Sequence, residues 1–386
     1  MQDIHPLPVQ PHDSRLRVRP VATDGELREA LALPARLHGH DPSWIPPIAA
    51  LQRRRTRAFL RAGDLVLLRA ERDGRLVGTI SALRDRGFER DQGERVVWFG
   101  YLAAEDDQRI VDALFDAAVA QARRWGGTHL RGPRDLTRWE NVGLTVEGHE
   151  VPPPFLQGHH PAYYRARVEA AGLQKHHDLL AYDIPVVLPD GRPNQLPQHV
   201  LDKAASIDVP GLVLRPASRL HLGRDLALAH EVLNTAYRTV PETAPMSRAA
   251  FLSVGRPFLT VADPRLLQLA TVDGRPVGFA ACLPELNEAV ARTDGDLLPL
   301  GWARLLRGLR RVRTASFKLI GVVPELRGTG LHAALISAVV DGVRAAGYHR
   351  VDASVIDERN GPMRAVVEGI GMTVYRRYRF YDRTVG

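Results

Sequence analysis

Apolar residues recur along this chain in two rhythms, and the rhythms alternate. A run at 317–323, broken only by Lys318 and Gly321, is continuous enough to predict a buried strand. Residues 331–346 then place Leu331, Leu335, Val339 and Val343 at helical spacing with no internal proline, which predicts a helix. Between them stands Val322-Val323-Pro324-Glu325-Leu326-Arg327-Gly328-Thr329-Gly330-Leu331, a short turn with two glycines. A strand that feeds a helix through such a turn points main-chain N–H groups inward. The helix start adds unpaired donors and partial positive charge, so the turn suits an anion such as a phosphate or pyrophosphate. Farther on, 350–356 reads as another strand and 375–381 as a last one.

The pattern also repeats on a long scale. Asp73-Gly74-Arg75-Leu76-Val77-Gly78 recurs as Asp273-Gly274-Arg275-Pro276-Val277-Gly278, an offset of 273 − 73 = 200, and apolar runs around each Asp-Gly predict a hairpin. Val168-Glu169-Ala170-Ala171-Gly172 answers Val367-Glu368-Gly369-Ile370-Gly371, and Tyr182-Asp183 answers Tyr381-Asp382. Near the starts, Val18-Arg19-Pro20 answers Leu214-Arg215-Pro216. Colinear matches of this kind predict duplication of a whole domain. The expected division is a first domain at 1–183, a proline-rich linker at 184–211 with a short helix near 199–205, and a second domain at 212–386. Each half reads as strand, one or two helices, hairpin, strand, long helix, strand, helix, strand, which suits an α/β fold with a mixed sheet.

Arg327, Gly330 and the preceding Val-x-Pro turn, set between strand and helix, resemble the pyrophosphate-binding loop of the GNAT superfamily of N-acyltransferases. His332 stands where that pattern expects a last small residue. The resemblance implies two tandem GNAT-like acyltransferase domains and a reaction that moves an acyl group from acetyl-CoA or acyl-CoA to an amine. It implies that Ile320, Val322 and Val323 offer main-chain groups to the pantetheine arm. Arg327, Gly328, Thr329, Gly330, Leu331 and His332 would hold the phosphates. Asn360 would face the thioester arm, and its residue context equally suits a helix cap ahead of Pro362. His332 either points outward, contacts a phosphate or crowds the pyrophosphate. In the last case an acyl carrier protein, which brings the same arm with one phosphate, becomes the alternative donor.

The two copies differ where the phosphates would sit. Aligning Gly127 with Gly347 sets Glu105-Asp106-Asp107-Gln108 opposite Glu325-Leu326-Arg327-Gly328. Carboxylates suit a helix start but repel a pyrophosphate, so the first copy is expected to be a degenerate, non-binding partner. In the second copy, two catalytic groups common in the family are absent. Val367 stands at the position of a frequent Tyr acid, and 317–323 contains no carboxylate base. Glu358 as base, and Tyr378 or Tyr381 as acid, are the substitutes near the same mouth. A non-catalytic acyl-CoA-binding module is the reading from a different class.

Charge and composition narrow the partners. The 386 residues carry a formal net charge of +8, and of the 52 Lys and Arg only Lys175, Lys203 and Lys318 are lysines. A basic surface favours anionic partners, but the arginines are scattered without interleaved aromatics, which argues against nucleic acid. Trp302, Leu305, Leu306 and Leu309 fall at helical spacing within 296–313 among Arg304, Arg307, Arg310, Arg311 and Arg313. That helix reads as a lid over the sheet, a dock for an acidic carrier protein, or a membrane-surface contact. One cysteine, no apolar leader and no membrane-length apolar run predict a cytoplasmic protein, and no metal-ligand motif occurs. The long segment 131–161, with Arg134, Trp139, Asn141 and three prolines, is expected to cover the acceptor pocket. The amine itself is unreadable from sequence, because variable loops build such pockets.

Overall fold

A computed structural model describes residues 15–239, 263–291 and 301–386, with short pieces at 247–248, 251–252 and 293. The first half runs β1 (Leu16–Pro20), α1 (Asp24–His38), α2 (Ala49–Ala62), β2 (Leu65–Arg72), β3 (Arg75–Arg84), α3 (Arg86–Gln92), β4 (Val96–Ala104), α4 (Gln108–Arg124), β5 (His129–Gly132), β6 (Leu144–Glu147), α5 (Tyr163–Ala170) and β7 (Gln174–Pro185). After α6 (Gln198–Ala205) come β8 (Leu212–Pro216), α7 (Leu222–Ala236), β9 (Leu267–Val272), β10 (Arg275–Pro284), α8 (Leu286–Val290) and α9 (Gly301–Leu309). The chain closes with β11 (Thr314–Val322), α10 (Leu331–Ala345), β12 (Arg350–Asp357), α11 (Gly361–Gly369) and β13 (Thr373–Thr384). The duplicated hairpins form as the sequence predicts. Asp73 and Gly74 have φ of 51° and 76°, and Asp273 and Gly274 have 49° and 81°, the pair of positive angles that a tight two-residue turn requires.

All thirteen strands belong to one mixed sheet, in the order β1-β2-β3-β4-β5-β13-β7-β12-β11-β10-β9-β8, with β6 pairing β13 off that path. The order contains an exchange. The last strand of the second half, β13, lies against β5 of the first half, while β7 of the first half lies against β12 of the second. Equivalent tyrosines lock the exchange from both sides. Tyr381 donates its hydroxyl to Glu169 at 3.1 Å, and Tyr182 donates to Glu368 at 2.8 Å. The two halves therefore share their edges, and a small core of Trp98, Leu179, Ala181, Tyr378 and Phe380 fills the seam between the larger cores of each half.

In α10 the predicted stripe faces inward: Leu331, Leu335, Val339 and Val343 are all buried against the second half of the sheet. The proline-rich stretch expected as a linker is also packed. Val186 is buried and its N–H donates to His349 O at 2.8 Å, and α6 lies along α10. Part of the arginine-rich insertion, 296–300, lies outside the described residues, as does the Trp302 side chain. On α9, Arg304, Leu306 and Arg307 are exposed, while Gly308 seats the helix on Ala289 of α8. Among the described residues no helix is long and apolar enough to cross a membrane.

Candidate active site

Strands β11 and β12 start side by side and then part. They pair in parallel from Thr314/Arg350 to Phe317/Ala353, and no pairing continues beyond. The opening leads into a cavity of about 350 Å³ whose wall includes Lys318, Leu319 and Ile320 of β11 and Ala353, Ser354 and Val355 of β12. Leu156 and Trp139, from the long segment after β5, close it from the first half. That segment therefore covers the cavity as its length predicts. The size falls in the range of small-molecule pockets, roughly 300–1,000 Å³. Most of the wall is aliphatic and aromatic, so an apolar chain would gain free energy by leaving water for it.

A polar cluster stands at the point where the strands part. Lys318 Nζ donates to Ser354 Oγ at 3.1 Å, to Ser354 O at 3.3 Å and to Phe155 O at 2.8 Å. The hydroxyls of Ser354 and Ser316 donate to Asp352 Oδ1, and Tyr375 donates to Asp352 Oδ2 at 2.6 Å. Lys318 Nζ itself stands 4.0 Å from Asp352 Oδ1. Glu285, at the end of β10, accepts from Phe155 N at 2.9 Å and Asn287 N at 3.1 Å. Phe155 is thus gripped through both its N–H and its carbonyl, which ties the first half's loop to the parted strands of the second half. Burial pushes the Lys318 ammonium below the usual lysine range and pushes the Glu285 carboxyl up, because each charged form loses hydration.

The glycine-rich turn follows β11. Gly328 and Gly330 have φ of 83° and 97°, and among the described residues no main-chain carbonyl accepts from the N–H groups of 328–331 outside regular elements. Those donors and the start of α10 suit a phosphate group. The Arg327 side chain donates to Ala236 O at 2.8 Å, at the end of α7, where a cation complements the helix dipole. His332 is half-buried, and burial together with Arg327 lowers its pKa, so it stays neutral beside the turn at pH 7. The carbonyl of Lys203 in α6 presses on Gly330, leaving no room for a side chain. The residues present therefore fit the diphosphate end of a coenzyme A thioester.

No protein-family model matches the chain. It is 34% identical to the bacterial ceramide synthase of Caulobacter vibrioides (strain NA1000 / CB15N), over 98% of this chain and all of that protein. It is 29% identical to Protein YghO of Escherichia coli (strain K12), over 95% of each chain. Among solved structures, a tandem GNAT protein from the clavulanic acid biosynthesis pathway superposes with a TM-score of 0.54 at 19% identity, covering 96% of this chain and 99% of that one. This chain belongs to the family of the Caulobacter bacterial ceramide synthase, and it has the fold of a tandem GNAT protein. A GCN5-related N-acetyltransferase from Sphaerobacter thermophilus shares the fold with the same TM-score, at 16% identity over 96% of both chains. Acyl transfer is the general chemistry that goes with this membership.

The first half shows how the same splay looks when filled. Strands β4 and β5 pair only from Val96/His129 to Trp98/Arg131. The chain then inserts itself into the gap: Arg134 N donates to Phe99 O at 2.7 Å, and Asp135 accepts from Tyr101 N at 2.7 Å. A Cβ on Gly100 would lie 2.2 Å from Arg134 O, so the loop fits only because Gly100 has no side chain. The helix start that would face phosphates is capped instead by Asp107, which accepts from Arg109 N and pairs with Arg72, while Glu105 pairs with Arg75. Main-chain groups at that splay and the start of α4 are thus partnered by the protein itself.

The fold treats the sequence-predicted site residues unequally. Ile320 and Asn360 line the cavity, and Asn360 also caps α11 by accepting from Met363 N at 3.2 Å. Val322 and Val323 are buried, and both are bonded or paired on their β10 side, Val322 opposite Gly278 and Val323 N to Val277 O at 3.0 Å. The proposed acids and base stand off. Tyr381 is fully buried against Glu169 in the first half and does not line the cavity, because strand exchange carries its face away. Tyr378 is fully buried in the seam core, with the Arg376 guanidinium over its ring. Burial pushes both phenols above their ordinary range. Glu358 accepts from Asp178 N at 2.8 Å and pairs with Lys175, and its neighbours Asp357 and Asn360 reach the cavity instead. Sequence reasoning missed Lys318, Asp352, Ser354 and Glu285. The available signal was a charged residue interrupting an apolar strand, in a chain with three lysines.

Proposed function

We propose that this protein is an N-acyltransferase that joins a long acyl chain, carried as an acyl-CoA thioester, to the amine of a long-chain amino compound. The observation that carries the reading is the apolar cavity of about 350 Å³ opening on the splay of β11 and β12. A GNAT acyltransferase that handled only acetyl groups and hydrophilic amines would have no use for such a wall. The name of the Caulobacter relative supports the same reading, since a ceramide is the amide of a fatty acid and a long-chain amino alcohol. In this scheme the turn at 327–332 would hold the diphosphate, and the parted strands would take the pantetheine arm. The thioester supplies the activated carbonyl. This chain's residues orient it, exclude water and manage the proton. The second half would do this work, with the first half supplying Leu156 and Trp139 as the cavity's cover.

The test is turnover with acyl-CoA donors from acetyl to palmitoyl, each with a long-chain amino alcohol and with a hydrophilic amine. Free thiol release and mass spectrometry of the amide give the readout. Each methylene that enters the cavity contributes about 0.8 kcal/mol, so kcat/KM rises by up to about fourfold per carbon until the cavity is full. Ala281→Phe, which adds bulk to the cavity wall, shifts the preference toward shorter chains. Preference for acetyl-CoA with a hydrophilic amine refutes the reading. Tight acyl-CoA binding with no amide from any amine would instead make the protein a binding module. A loaded acyl carrier protein in place of the CoA donor separates the two sources of the same arm.

A further inference from the structure

We infer that Lys318 is the proton donor to the departing thiolate in this reaction. The inference rests on the acyl-transfer reading above and deepens it.

The geometry of the splay comes first. Pairing between β11 and β12 stops at Phe317 and Ala353, and Lys318 and Ser354 are the next residues on their strands. Lys318 Nζ reaches across the opening to the carbonyl and hydroxyl of Ser354. The ammonium therefore sits at the apex of the V formed by the strands, in the wall of the cavity. A thioester arm that lies between parted strands meets this group. The acids expected from the sequence stand elsewhere, although Tyr237 and His177 also line the cavity: Tyr381 is turned into the first half, Val367 occupies the usual tyrosine position, and Tyr378 does not line the cavity.

The protonation state fits the same role. Phe155 O, Ser354 O and Ser354 Oγ accept from Nζ, which matches the three donors of an ammonium. Ser354 in turn passes its own proton toward Asp352, so the lysine is backed by a carboxylate at one remove. Burial lowers the lysine's pKa and so makes it a better acid than a lysine in water. The degenerate half gives an internal control. The sheet register pairs Leu83 with Trp98 and Leu283 with Ser316, and Gly78 with Ala104 and Gly278 with Val322, so Gly100 stands opposite Lys318 (318 − 100 = 218). The ammonium is thus found only in the copy that keeps the phosphate turn.

The step balances within this set. The amine lone pair forms the C–N bond, the C–S bond breaks with its electrons going to sulfur, and Lys318 gives that sulfur a proton. The proton shed by the newly acylated nitrogen returns to the neutral lysine, which restores the ammonium.

The leaving group provides the test. Thiophenolate departs without a proton at neutral pH, whereas an alkyl thiolate needs one. Wild type, Lys318→Met and Lys318→Arg are assayed with acyl-CoA, with S-acyl N-acetylcysteamine and with S-acyl thiophenol. Both variants are expected to lose about 10²- to 10⁴-fold in kcat on the two alkyl thioesters, the usual worth of a general acid. On the thiophenyl ester the loss is expected to shrink below about tenfold. Arginine keeps the charge but does not release its proton, so Lys318→Arg decides the matter if Lys318→Met does not fold. Equal losses on all donors, or an active Lys318→Arg on acyl-CoA, overturn the proton-donor role alone. A wild-type protein that makes no amide from any donor overturns the acyl-transfer reading beneath it.

Discussion

Gly330→Ala and Gly328→Ala make a paired experiment on the glycine-rich turn. Both glycines have positive φ, 97° and 83°, so an alanine at either position costs about 1–2 kcal/mol in backbone strain. Only Gly330 is also crowded. A Cβ there would lie 2.3 Å from Lys203 O and 3.0 Å from Ile207 Cγ1, while nothing lies within 4 Å of one at Gly328. Ordinary contact begins near 3.4 Å, so the carbonyl of Lys203 must retreat by 3.4 − 2.3 = 1.1 Å. It belongs to α6, which is packed along α10. Overpacking of this kind adds about 1–3 kcal/mol. The expected losses are thus about 1–2 kcal/mol for Gly328→Ala and about 2–5 kcal/mol for Gly330→Ala. Urea unfolding of the two variants gives the difference, and calorimetry gives their affinity for coenzyme A, expected to fall more for Gly330→Ala because the turn itself must move. If Gly330→Ala is as stable as Gly328→Ala, the contact between α6 and the turn is not as described and the reasoning fails.

Two further predictions concern the cover of the cavity and acid stability. Arg376 is fully buried and donates to Gly148 O, Val151 O, Thr145 Oγ1 at 3.2 Å and His159 Nδ1 at 2.8 Å, so it fastens the first half's loop to exchanged strand β13. Arg376→Met leaves several buried acceptors without donors and should destabilise by about 3–5 kcal/mol, with faster proteolysis within 144–160. Arg376→Lys should rescue little, because one point charge does not reproduce a planar fork; a fully stable lysine variant would refute this. Burial holds His38 down to about 4 and His160 to about 3, against an ordinary 6.5. The unfolded chain then binds protons that the native state refuses, so their stabilisation is complete above pH 6.5 and is lost as pH falls toward 4 and then 3. Asp135, pushed up to about 6 by burial, works in the opposite sense, since the native state takes its proton first as pH falls from 6 toward 4. Asp135→Asn should therefore steepen the acid loss and His38→Gln should flatten it, as read from unfolding midpoints between pH 7 and 4. Parallel curves for both variants and wild type would count against these assignments.

Local chemistry was legible wherever a few neighbouring residues decide the outcome. Asp-Gly forced both hairpins, the spacing of Leu331, Leu335, Val339 and Val343 forced α10, and the paired glycines forced the turn before it. Asn360 caps α11 and lines the cavity, so the two roles open to it in the sequence coexist. The tyrosines expected as acids lie away from the cavity because the halves exchange strands. Tyr381 was read as part of its own half, yet Tyr182 and Tyr381 belong to matching strands that fit either slot, and each is locked by a glutamate from the opposite copy.

The sequence by itself determined the duplication, the GNAT resemblance and which copy keeps a glycine-rich turn, because repeats, turn residues and helical periods are written in short spans of chain. Only the tertiary structure decided that the halves exchange their last strands, that 133–135 plug the first splay, and that Lys318, Ser354, Asp352 and Glu285 meet at the second. A strand's alternation says which face is buried but not which strand lies beside it. The partners of Lys318 lie 163 residues upstream at Phe155 and 36 residues downstream at Ser354, and nothing local in the chain brings them together.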